Sequence, residues 1–167
     1  NIISLQMTDK SLEVEAEKYI SAEKGVETVK DAIAGAMDII AENISDEADY
    51  RIHIRKMTFD NGRITSTAKD PESKTVYEMY YNFEEPVKKI AGHRVLALNR
   101  GEDEKVLTVK VEPPVEDILR YLEKQVITRE NPNTTPVLKD IVADSYNRLI
   151  GPAIEREIRN DLTEKAE

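Results

Sequence analysis

A chain of 167 residues is long enough to bury a real core, as one ordinary domain or two small helical subdomains. Its 40% hydrophobic and 34% charged content fits a globular protein with a well-solvated surface. The absence of cysteine excludes a disulfide framework and a thiolate metal site, and a formal net charge of −9 disfavours an autonomous grip on a phosphate backbone. No apolar run approaches the ~20 residues that would cross a bilayer, and no signal-peptide pattern is present, so a cytoplasmic location is expected.

From Thr8 the positions Leu12, Ala16, Tyr19 and Ile20 trace one helical face, with Thr8 as its cap and Gly25 as the next break. A stronger helix is expected over 29–44. There Ile33, Met37, Ile40, Ala41 and Ile44 form a stripe that Ala32, Ala36 and Ile39 widen, as in a central helix buried on more than one side. Gly35 would let a neighbouring helix approach closely. Ser45 is expected to cap the next segment, with Asp46 and Glu47 at its positive end. Tyr50, Ile52 and Ile54 alternate as in a strand, whereas Tyr50, Ile54 and Met57 fit a helix. The acidic start favours the helix, ending near Asn61-Gly62, where glycine suits a left-handed stop; a hairpin turning at the same dipeptide is the competing reading.

Residues 64–67 then look extended, and 68–75 read as polar loop. Val76, Met79, Tyr80 and Phe83 follow at helical spacing. Pro86 opens a short turn, Gly92 breaks it, and His93 begins a short helix expected to stop at Gly101. Residues 106–111 alternate apolar and polar with many β-branched side chains, the best strand in the chain and a partner for the segment near Ile64. After Pro113-Pro114, the residues Val115, Ile118, Leu119, Leu122 and Val126 give an amphipathic helix. Thr135-Pro136 starts another, whose stripe is Leu138, Ile141, Val142, Ser145 and Leu149. Gly151-Pro152 is expected to end that helix and start the last, where Ile154, Ile158 and Leu162 recur every four residues with Ala166 next in line. The start at Asn1 and the unstopped final helix read as the ends of a piece cut from a longer protein. The expected fold is mainly α: a multi-helix bundle with at most a small two-stranded β element at 64–67 and 106–111. It forms one helical section over 1–167, divisible into subdomains 1–112 and 113–167.

Chemistry is sparse. The two histidines, His53 and His93, sit in no metal-binding motif, and there is no glycine-rich phosphate loop or nucleophile elbow. Acidic residues are scattered; Glu13, Glu15 and Glu17 read as a solvated run, and Asp103 with Glu104 as a turn. No catalytic residue, metal site, cofactor or small-molecule substrate is expected, and enzyme activity is not. Two features stand out. The rings of Tyr77, Tyr80, Tyr81 and Phe83 could stack on bases, but Glu78, Glu84 and Glu85 among them repel phosphate, which favours packing. Lys88, Lys89, His93, Arg94 and Arg100 make the densest basic island besides Arg51, Arg55 and Lys56, and are the candidate contacts for nucleic acid or a protein partner. A structural role for the arginines, bound to carbonyls or carboxylates, weighs more than a phosphate contact.

Four blocks then occur in one order: residues 34–42 (AGAMDIIAE), Glu85-Pro86, residues 93–102 (HRVLALNRGE) and residues 148–159 (RLIGPAIEREIR). In that order they resemble the N-terminal half of the Tex family of bacterial RNA-binding transcription accessory proteins, from about Leu12 to the end. The family often has Arg at the place of Met37, Trp at Asn43 and Pro-Ser at Ala91-Gly92, so this chain resembles a diverged member. The resemblance implies a parent with an N-terminal helix-turn-helix region and this helical section, followed by an RNase-H-like domain, helix-hairpin-helix motifs and an OB-fold RNA-binding domain. It also favours helix over strand for 50–57. The function implied is a non-catalytic helical scaffold that positions RNA-binding domains, with RNA or other nucleic acid bound through the full-length protein and RNA polymerase as a candidate partner. The alternative is an acidic protein-interaction module that contacts the transcription machinery without touching nucleic acid.

Overall fold

Apolar side chains recur at helical spacing through most of the chain, and helices carry most of the fold. The computed structural model describes residues 29–167; the helix expected from Thr8 and the break at Gly25 lie outside the described residues. Helix α1 spans Val29–Asp46, α2 Ala48–Asn61, α3 Gly92–Asp103, α4 Val115–Val126, α5 Thr135–Asp144 and α6 Gly151–Ala166. Strands β1 (Arg63–Ala68), β2 (Asn82–Pro86) and β3 (Leu107–Glu112) form one antiparallel sheet in the order β2-β1-β3. The mainly α class is as expected. Two compact units are present among the described residues, each drawn from two stretches of chain: 29–51 with Glu116–Gly151, and Ile52–Val115 with Pro152–Glu167.

In the first unit, α1 packs against α5 and the turn that follows it. Ala41, Ile44, Ile118, Leu122, Leu138, Ile141, Val142 and Ile150 are buried there. Ile118 and Leu122 of the α4 stripe and Leu138, Ile141 and Val142 of the α5 stripe are buried as their spacing predicts; Val115 is not, being 38% exposed, and Ser145 and Leu149 fall in the turn after α5. The expectation of an α1 buried on more than one side is not met by Ile39, which is 61% exposed, and among the described residues nothing lies within 4 Å of a Cβ built at Gly35. Ser45 does not cap α2. It belongs to the last turn of α1 and donates its hydroxyl to the Glu42 carbonyl at 2.7 Å, while Asp49 supplies the acid in the first turn of α2.

Gly151-Pro152 does not break the chain either. A π-helical turn, Ser145–Ile150, carries α5 into α6. A proline inside a helix removes a donor and crowds the carbonyl four residues back; the wider turn before it relieves both. The Gly151 N–H bonds the Tyr146 carbonyl, and a Cβ at 151 would stand 3.0 Å from that oxygen, so glycine lets the turn close. The turn also presents Ser145, fully buried, whose hydroxyl donates to the Ala41 carbonyl of α1 at 2.7 Å.

The second unit is built on the sheet. β1 and β3 pair as expected, Ile64 opposite Val111 and Ser66 opposite Val109, with Ile64, Val109 and Val111 buried. The sheet has a third strand that the helical spacing of Val76, Met79, Tyr80 and Phe83 misses. Val76 and Met79 are 86% and 66% exposed, so those residues share no buried face. What fixes this segment is β1. The Ser66 hydroxyl donates to the Tyr80 carbonyl at 2.5 Å, the Ala68 N–H to the Tyr81 carbonyl at 3.2 Å, and Asn82–Pro86 then pairs along β1 with Ser66 opposite Phe83. Only Glu78–Tyr80 keeps a single 3-10 turn.

α2 stops at Asn61, near the expected place but for another reason. Gly62 is not left-handed; a Cβ there would press on the Thr58 carbonyl and stand 3.2 Å from the Glu112 carbonyl of β3. Gly101 does not stop α3. It is buried inside the helix, its missing side chain leaving room for Leu107, and the chain turns out of the helix at Lys105, whose φ is 63°.

Candidate nucleic-acid or partner interface

The basic island belongs to the second unit and forms where the chain passes from the sheet into α3. Pro86 closes β2, and a 3-10 turn, Val87–Lys89, follows. That turn buries Val87, 1% exposed, and by doing so leaves Lys88 and Lys89 exposed. Ala91 then precedes α3 with extended backbone. It offers no side-chain cap, and the first turn of the helix holds no acid. The positive end of α3 is therefore neutralised by no carboxylate of its own. His93, in the first turn of α3, is exposed, as the two lysines are. The end of α6 packs beside this point, since a Cβ on Gly92 would meet Ala166 Cα at 3.2 Å.

The arginines behave differently from one another. Arg94 is half-buried with its guanidinium 5.6 Å above the centroid of the Phe83 ring, and Phe83 stands edge-on to Tyr80 at 5.2 Å. Arg94 therefore clamps β2 to α3. Arg100 is exposed, seven residues after His93 and so on nearly the same side of α3, roughly 10 Å along its axis. It lies near the Tyr77 phenol, which donates to the Glu104 carboxylate. That hydrogen bond, with a smaller contribution from burial, raises the phenol above its ordinary range; Arg100 opposes the shift. Of the five residues, Lys88, Lys89, His93 and Arg100 are exposed, whereas Arg94 makes a packing contact.

The rest of the HRVLALNRGE block works inward. Val95, Leu98 and Gly101 are buried. Asn99 and Glu102 hold Arg159 of α6, which donates to both Glu102 carboxylate oxygens, at 2.7 and 3.3 Å, and to Asn99 Oδ1 at 2.9 Å. Asn99 in turn donates to Thr163 Oγ1 at 2.8 Å, and that hydroxyl donates to the Arg159 carbonyl at 2.9 Å. Sequence reading singles out the arginines of α3 and passes over Arg159, which among the described residues is the most buried of the bridged cations at 16% side-chain exposure. Its partners stand 57 and 60 residues away in sequence, so no local spacing announces them.

The second basic group is largely engaged. Arg51 donates to the Ser45 carbonyl, and Arg55 pairs with Asp161 and, at 3.7 Å, with Glu157. The tyrosines pack rather than stack outward: Tyr77 and Tyr80 are buried, and the Tyr81 hydroxyl donates to the Ser73 carbonyl at 2.5 Å. Among the described residues no three His, Asp or Glu side chains gather into a metal-binding group, and no helix is long and apolar enough to cross a membrane.

The class this defines is a mainly helical segment in which a polar network fastens α3 to α6. Comparison with known proteins narrows it. The family model described as Tex central region-like matches residues 8–167. The uncharacterized protein YdcI of Bacillus subtilis is 52% identical over 95% of this chain and 22% of its own length. The human S1 RNA-binding domain-containing protein 1 is 32% identical over 86% of the chain and 16% of its own length. Protein tex of Bordetella pertussis is 33% identical over 58% and 12%. The chain belongs to the Tex family, as its central region, and spans about a fifth or less of the length of these relatives.

Proposed function

We propose that this chain is the non-catalytic helical framework of a cytoplasmic, transcription-associated Tex-family protein, and that it touches RNA through Lys88, Lys89 and His93, with Arg100 as an outlying contact. One observation carries the RNA reading: exposed cations gather at a helix start without acids of its own, in a chain of net charge −9. The name of the human relative, S1 RNA-binding domain-containing protein 1, agrees in kind. The main grip on nucleic acid is assigned to domains elsewhere in the full-length protein, and this segment adds phosphate contacts while setting their positions. Arg94 supports the island from beneath through Phe83.

The test is binding of single-stranded oligouridine to the chain at low salt, followed by fluorescence anisotropy. Replacing Lys88, Lys89 and Arg100 by alanine should weaken binding and flatten its salt dependence by about 0.7 in log–log slope for each lost contact. Binding that ignores these changes removes the assignment. Retention of RNA polymerase by the full-length protein after nuclease treatment, with the variants still competent, favours the acidic interaction module instead.

A further inference from the structure

α2 carries apolar side chains on two faces. Ile54 and Thr58 point into the core and are buried, yet Ile52 is 67% exposed and Phe59 is half-buried. Ile52, Arg55, Lys56 and Phe59 fall at positions i, i+3, i+4 and i+7, one continuous stripe. α6 presents the same spacing opposite it: Ile158, Asp161, Leu162 and Lys165. Between the two stripes lies an open groove of about 380 Å3. It runs roughly 10 Å along the helices, about two turns. Its floor is aliphatic and aromatic, and Lys165 leans over the Phe59 ring at 5.1 Å.

The charge on the rim is opposite to that of the chain. Among the described residues that line it, Arg55, Lys56 and Lys165 are cationic and Asp161 is the acid; Arg55 is engaged by Asp161 and by Glu157, which leaves two lysines at the edges. Two parallel stripes at helical spacing offer the ridges and grooves into which a third helix packs. We propose that this groove receives an acidic amphipathic helix of a partner protein, its apolar residues seated on Ile52 and Phe59 and its carboxylates meeting Lys56 and Lys165. A base-stacking strand fits less well, because the one ring in the groove is already covered by Lys165.

The probe is a synthetic peptide of about 18 residues, long enough to hold a helix, with leucine at i, i+3, i+4 and i+7 and flanking glutamates. A twin carries lysine for each glutamate. Titrated into the chain and followed by backbone amide shifts, the glutamate peptide should move the amides of Ile52, Lys56, Phe59 and Lys165. Ile52→Asp, and Lys56→Glu with Lys165→Glu, should each weaken it by about tenfold, as for the loss of one apolar anchor or of the rim charge. The lysine twin should bind the charge-reversed chain more tightly than the native one, a gain that an unfolded variant could not give. Equal binding of both peptides to the native chain, absence of binding, or shifts outside the groove would overturn the proposal. So would oligouridine moving the same amides, which makes the groove a nucleic-acid surface.

Discussion

In the first unit aliphatic stripes on α1, α4 and α5 meet in a core where the Ser145 hydroxyl reaches the Ala41 carbonyl across 104 residues of sequence. In the second, which holds a three-stranded sheet, α3, α6 and most of α2, charged and aromatic side chains also tie elements together: Arg159 on Glu102 and Asn99, Arg94 on Phe83, Tyr77 on Glu104. The difference lies in how each unit resists perturbation. A core of aliphatic contacts is spread over many small attractions and fails through cavities. A core completed by hydrogen bonds fails at single partners, and its charged members also answer to pH and salt.

The largest effect is expected where the first unit is emptied. Leu122→Ala or Ile141→Ala, both sites almost fully buried, should cost about 2–5 kcal/mol in chemical denaturation. A loss below about 1 kcal/mol would mean that these stripes do not carry the unit. Next comes overpacking in the second unit. Gly101→Ala drives a methyl group into the Leu107 side chain, and a loss of about 1–3 kcal/mol is expected, with amide shifts in α3 and β3. Replacing Arg159 by Ala should cost about 1 kcal/mol, discounted because Glu102 is 41% exposed, and a cycle with Glu102→Gln should show the two effects to be non-additive.

A gain should sharpen the same contrast. Thr134 is fully buried and its Oγ1 has no hydrogen-bond partner among the described residues, so Thr134→Val removes an uncompensated desolvation at nearly constant volume. It should raise stability by about 1 kcal/mol, and a destabilised variant would show that the hydroxyl is satisfied. The smallest effect concerns pH. The Tyr77 phenol is raised by its bond to Glu104, so the folded state holds that proton more tightly than the unfolded chain does. Its contribution is fully present below the unfolded value of about 10 and is lost as pH rises through the folded one. Tyr50 and Tyr121, edge-on to each other and raised chiefly by burial, add to the same alkaline loss from within the first unit. Thermal melts of Tyr77→Phe should be less stable at neutral pH and should fall less steeply above about pH 10.

Much of this architecture is legible in local patterns. The stripe from Leu138 to Val142, the alternation around Val109, and the Thr135-Pro136 start each report on a segment's own periodicity or cap. The failures share one cause. Residues 76–83 satisfy a helical spacing, but the open edge of β1 offers hydrogen bonds that only the folded sheet provides. Gly151-Pro152 has the signature of a break, yet packing of the flanking turns supports a π-helical passage. The basic island was legible as composition; that Arg94 is occupied by a ring while Lys88 and Lys89 stay exposed was not, because the burial of Val87 and the ring of Phe83 on β2 decide it.

By itself the sequence determined the mainly α class, the pairing of β1 with β3, the apolar stripes of α4, α5 and α6, and the family. Each of these is written in residues at short, regular spacing, where burial of one face is a local property. Only the tertiary structure decided the third strand, the partners of Arg159, and which of the island's cations stay exposed. Hydrogen bonds and ring contacts are made between residues tens of positions apart, and their geometry exists only after the chain has folded.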